Sequence, residues 1–283
     1  MAKHTENGKV REATVAGIFY PEDSAELAMA MGRLIASAEP GSDSEAITKA
    51  KAILSPHAGL GYSGDLSALA WKSASARKID RVVILAPLHR AEESLIYLPE
   101  ADYFATPIGP VQVDRASVVE LLDCGTAFSM NDIPHFEEHG IEVQLPFMRT
   151  LFPEASLVPI LVGKAQPSLV KSLASALGIV FGKKAETTLF VVSSDLSAGL
   201  EAGAVSKTAD RLLALVDKKD ADGILALKAE GVQIACGAVC LAAYLASPPA
   251  EGTKCVILDR HDSSKSRESE QERLVEYAAL AFV

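Results

Sequence analysis

The feature that most constrains the fold is a set of short, wholly apolar runs: VVIL at 82–85, LVPILV at 157–162 and LFVV at 189–192. A strand that does not alternate polar and apolar residues is apolar on both faces, so it needs a covering layer on each side. Such strands separated by segments of helical period define an α/β protein. Strands are expected at 52–55, 81–86, 94–98, 111–113, 157–161, 188–193, 255–258 and 274–283. Helices, with apolar residues recurring every three or four positions, are expected at 24–38, 65–76, 115–123, 142–151, 167–181, 204–217 and 237–246. Asp23 or Ser24 is placed to cap the first helix, and Pro167 stands at the start of the fifth. The expected architecture is a mostly parallel or mixed central sheet flanked by helices. No repeat or Gly/Ser-rich linker interrupts the chain, so 1–283 is expected to form a single domain, with 41–44, 248–252 and the charged stretch 263–273 as surface loops.

Composition narrows the function classes. The chain has 27 Lys plus Arg against 37 Asp plus Glu, a formal charge of -10. That balance argues against nucleic-acid binding through a basic patch and against a polybasic membrane surface. Nearly half of the residues are hydrophobic, enough to bury a large core. The longest nearly apolar run, 234–246, falls short of the roughly 20 residues that span a bilayer. The opening MAKHTENGKVRE leads into no apolar segment. The expectation is a cytoplasmic protein with no membrane span, whose four cysteines are thiols.

Candidate chemistry gathers where buried strands end. His57 follows the first buried strand within LSPHAGLGYSG, and His89 follows the second within VVILAPLHR. In open α/β sheets, loops at the carboxyl ends of strands form the ligand-binding edge, so these two imidazoles could meet on one metal ion. VVSSDLSAG brings Asp195 to the same edge, although on spacing alone Asp195 reads as the cap of the following turn. In IACGAVC, Cys236 stands just before a helix, where free N–H groups and the helix dipole favour a thiolate. Two imidazoles with a thiolate or carboxylate make a site that keeps positions open. Cys240, Cys124 and Cys255 read as packing residues. PHFEEHGIEVQLPFM holds His135 and His139 four apart, but H-F-E-E-H is not HExxH, and Pro134 and Gly140 oppose a helix. His139 is expected to contact substrate or support the ligands. His4 falls in a frayed terminus and His261 in a charged loop. No Walker A, GxGxxG, GxSxG or CxxC sequence is present.

Taken together, VREATVAGIFYP, LSPHAGLGYSGD, LAPLHR, EEHGIEVQLPFM, VPILVG, VVSSDLS, ACG and LVEYAALAFV resemble, in order, the Memo family, whose bacterial and archaeal members are called AmmeMemoRadiSam system protein B. The resemblance implies a fold like that of class III extradiol dioxygenases. It also implies a metal site of His57, His89 and Cys236 with Asp195 beside it. Three positions depart from the pattern: Ala198 stands where the family carries a histidine after the SSD motif, Arg90 follows His89, and Ser263-Ser264-Lys265 replaces a Ser-Gly-Asp stretch. Ala198 removes a candidate acid or base, which argues against ring cleavage and leaves proton transfer to Asp195 or His139. A thiolate ligand suits iron(II) or copper(I) and is itself open to oxidation. The leading expectation is a cytosolic iron- or copper-binding, dioxygenase-like protein with a redox role, its turnover left open. The alternative is a catalytically silent module that holds a peptide or partner. A radical SAM enzyme and an AMMECR1-type protein are the partners the resemblance implies. A metal-dependent hydrolase is a third reading, and nothing in the chain resembles such a family.

Overall fold

Burial on both faces decides which apolar runs lie at the centre of the sheet. The computed structural model describes residues 3–5, 8–39, 48–231, 234–266 and 273–283. Its strands are β1 (Lys3–Thr5), β2 (Gly8–Arg11), β3 (Ala52–Ser55), β4 (Arg81–Pro87), β5 (Ile96–Leu98), β6 (Tyr103–Phe104), β7 (Val111–Gln112), β8 (Phe128–Met130), β9 (Ser156–Val162), β10 (Thr188–Ser193), β11 (Ser197–Gly199), β12 (Cys255–Asp262) and β13 (Leu274–Phe282). Its helices are α1 (Ser24–Ser37), α2 (Leu60–Lys72), α3 (Arg115–Leu122), α4 (Asp132–Glu137), α5 (Leu145–Leu151), α6 (Pro167–Phe181), α7 (Ala202–Asp217), α8 (Ala221–Ala229) and α9 (Ala238–Leu245).

Among the described residues the large sheet runs β11-β13-β3-β10-β4-β9-β5-β8, with β12 paired to β13. The centre, β3-β10-β4-β9, is parallel throughout. Antiparallel pairing joins β13 to β3 and β5 to β9, so the sheet is mixed. The apolar runs expected to be covered twice are β4, β9 and β10, which stand side by side in this parallel core, and Val82, Leu157 and Val191 are fully buried. One group of helices, α1, α2 and α5, packs together with α2 against β3 and β13; another, α6, α8 and α9, packs together with α9 against β4 and β10. A smaller sheet, β1-β2-β6-β7, joins the large one through a bridge between Val113 and Leu157.

Local signals set the ends. Asp23 caps α1 by accepting from the Glu26 N–H, and Pro167 opens α6. Residues 142–144 form a 3-10 turn before α5 rather than its first helical turn. Three expectations are corrected. His261 lies on β12, which runs on to Asp262 because the long β13 supplies pairing partners well beyond Leu258. Ser263, expected in a solvated loop, is buried and accepts from the Val275 N–H. His4 lies on β1, paired with β2, rather than in a frayed end. The loop expected at 41–44 and part of that at 263–273 lie outside the described residues. Among the described residues no helix is long and apolar enough to cross a membrane.

Candidate metal centre

Three parallel neighbours, β3, β10 and β4, end at one edge of the sheet, and each hands a polar residue to the same place. His57 follows β3, Asp195 follows β10 and His89 follows β4. Cys236 arrives from the turn before α9. One donor atom each from His57, His89 and Cys236 lies within 4.8 Å of the others, and the Cys236 Sγ stands 3.0 Å from His57 Nε2. A metal bound to nitrogen at about 2.1 Å and sulfur at about 2.3 Å holds them about 3.1 Å apart at a right angle. The Cys236 and His57 donors fit such an ion, and His89 completes the cluster.

Neighbouring groups fix which nitrogen each imidazole offers. Trp71 Nε1 can only donate, and it donates to Gln144 Oε1 at 2.8 Å, so Gln144 Nε2 is the donor to the Pro56 carbonyl (2.8 Å) and to Ser193 Oγ (3.2 Å). The Ser193 hydroxyl donates to the Gly140 carbonyl at 2.6 Å. Its oxygen therefore accepts from His57 Nδ1 at 3.0 Å, which leaves the His57 Nε2 lone pair facing Cys236. His89 is held the same way. Its Nδ1 donates to Glu138 at 2.9 Å and its N–H donates to the same carboxylate at 2.9 Å.

Glu138 organises the other wall. It is buried and also accepts from the N–H groups of His139 (2.9 Å) and Gly140 (3.2 Å), with His139 Nδ1 at 3.1 Å. Burial alone would raise its carboxyl, but the hydrogen bonds from His139 and His89 hold it well below its ordinary value. Burial opposes a charge on His89, yet hydrogen bonds to Cys236 and Glu138 push its pKa up to about 9. The His139 ring stacks on His89 at 5.0 Å between centroids, lies 5.3 Å from His57 and packs on Phe19. Asp195 accepts from the His57 N–H at 3.3 Å and places its other oxygen 3.9 Å from His57 Nε2. The five residues singled out from the sequence thus converge, and Asp195 bonds the His57 backbone rather than capping a turn.

Not every expected residue joins the cluster. His135 is on α4, buried under Phe104, while His139 lies beyond the end of that helix, so the two share no helical face. Ala198 is on β11 and, with Asp195 and Cys236, lines a small cavity. Arg90 is exposed. The supporting roles of Glu138, Gln144, Ser193 and Trp71 were not read from the sequence. Their signal was a set of polar residues, Glu138, Glu142 and Gln144, interspersed with apolar ones in a segment that turns out to be buried.

Fold and site together define a mixed α/β protein with a candidate His/His/Cys centre at the carboxyl edge of its parallel core. The sequence profile of the Memo family, described as Memo-like protein, matches residues 11–281, and the chain belongs to that family. A MEMO1 family protein of Aquifex aeolicus is 31% identical over 277 residues, covering 97% of this chain and 100% of that one. Protein MEMO1 of Xenopus laevis is 32% identical over 191 residues, 65% of this chain and 61% of that one. The crystal structure of an uncharacterised Escherichia coli K12 protein shares the fold, with a TM-score of 0.50 at 9% identity over 81% of this chain and 98% of that one.

Proposed function

We propose that this Memo family chain binds iron(II) or copper(I) through His57, His89 and Cys236 and serves a redox role in the cytoplasm. The observation that supports the reading is the joint geometry of the donors: three atoms within 4.8 Å, each imidazole hydrogen-bonded through its far nitrogen. Bound there, either ion would supply redox chemistry at coordination positions that three protein ligands leave open. Cys236 provides the soft donor from the turn before α9. Asp195 and His139 flank the ligands and hold a carboxylate and an imidazole where a bound molecule would give up or take a proton. Glu138 keeps His89 Nδ1 protonated and its ring turned toward Cys236.

Cobalt(II) substitution tests the ligand set. A thiolate-to-cobalt charge-transfer band is expected in the wild type, and it is expected to vanish in Cys236→Ser and in His57→Ala. A spectrum of hexaaqua cobalt in the wild type would defeat the metal reading and leave the cleft to a peptide or protein partner.

A further inference from the structure

A cavity of about 740 Å³ opens beside the cluster, with His89 and Cys236 in its wall. That volume lies within the roughly 300–1,000 Å³ of small-molecule pockets and far exceeds what a metal ion needs. Its floor is apolar and buried, formed by Pro87, Val162 and Val239, and Leu88 and Leu225 rise from it half-buried. Its rim is different. Lys164 follows β9, exposed, and Lys228 stands half-buried near the end of α8. Among the described residues neither ammonium has a carboxylate partner, and the one acid in the wall is Asp222. The N-terminus of α6, where no side chain caps the Ser168 N–H, borders the same rim at Gln166 and Pro167. In a chain of net charge -10, two unpaired lysines and a helix N-terminus around one apolar cavity favour an anion.

We propose that this cavity binds an amphipathic anion: an apolar body of alkyl or aryl carbon on the floor, directed at Cys236 and His89, and an anionic headgroup at the rim between Lys164 and Lys228. The proposal deepens the metal-site reading by naming the ligand class of that same site. The orientation follows from solvation. A headgroup at the rim keeps part of its water, whereas one on the floor would be desolvated against apolar walls. Lysine presents a point charge that suits a carboxylate or a phosphate alike.

Calorimetric titration of the metal-loaded protein with octanoate, octyl phosphate and octanamide tests it. At least one of the two anions is expected to bind about tenfold or more tightly than the amide, and the tighter one identifies the headgroup. The preference is expected to disappear in a Lys164→Gln, Lys228→Gln double variant, and Ala226→Phe, which narrows the cavity from an exposed position, is expected to weaken all three ligands. Equal affinity for amide and anions, or a preference untouched by the lysine substitutions, would overturn the proposal. Repeating the titration on His57→Ala separates the two readings. Anion preference in a wild type that binds no metal would remove the metal reading alone, and metal binding without anion preference would remove this one alone.

Discussion

His57 has one nitrogen to offer because Ser193 holds the other, and His89 is in the same position with respect to Glu138. Outer hydrogen bonds of this kind raise ligand basicity and fix ring orientation. Glu138→Gln keeps the shape but removes the charge, so metal affinity measured against a chromophoric chelator is expected to fall about 10- to 100-fold. Unchanged affinity would deny the carboxylate its orienting role. His135 makes a separate prediction about stability. Its Nε2 donates to the Tyr97 carbonyl at 3.2 Å, its Nδ1 is buried without a partner, and burial together with the Arg11 charge pushes its pKa down to about 3 from 6.5. Between those values the unfolded chain binds a proton that the folded chain refuses. The contribution of His135 is therefore fully present above pH 6.5 and declines on acidification by about 1.4 kcal/mol per pH unit down to about pH 3. Urea unfolding between pH 4 and pH 7 should show a shallower pH slope in His135→Phe than in the wild type, and identical slopes would contradict the account. From the sequence, candidate ligands could be found because each sits at the end of a recognisable buried strand or helix start. Glu138, Ser193 and Gln144 act through partners more than 45 residues away, which no local pattern encodes.

Elements placed the ligands because β3, β10 and β4 are adjacent and parallel, so their carboxyl ends coincide. Cys236 depends on a tighter constraint. A Cβ added at Gly237 would fall 2.6 Å from the Ser194 Cβ and 2.8 Å from the Ser193 carbonyl, while the Gly237 N–H donates to Ser194 Oγ at 3.0 Å. Gly237→Ala must push β10's end away from the start of α9. The expected cost is about 1–3 kcal/mol in urea unfolding, with weakened metal binding alongside. A variant of wild-type stability and affinity would show that the two segments are not held in contact there. The apolar runs β4, β9 and β10 were legible because continuous hydrophobicity has few other outcomes. β6, β8, β11 and α4 were not, since strands of two or three residues, and a helix with proline in it, owe their form to neighbouring elements rather than to their own period.

Across the whole molecule, the N-terminal segment is tied back to the site by a buried ion pair. Glu142, fully buried, receives Arg11, the Thr14 and Val15 N–H groups and the Tyr20 hydroxyl, and Arg11 also donates to the His135 and Glu138 carbonyls. Burial would raise the Glu142 carboxyl, but the Arg11 charge and these hydrogen bonds lower it. The clamp joins β2 and the following loop to the segment that carries Glu138 and His139. Sequence periodicity disclosed the α/β class and the parallel core, while the smaller sheet depends on pairing Val10 with Tyr103 and this clamp on contacts 124 and 128 residues apart. The central claim is that His57, His89 and Cys236 hold one metal ion. Its most direct test is anaerobic metal analysis after reconstitution with iron(II) and, separately, copper(I), of wild type, His57→Ala and Cys236→Ser. The account predicts about one equivalent of at least one ion in the wild type and its loss from both variants, each still folded by circular dichroism; a metal-free wild type, or variants that keep their full equivalent, would contradict it.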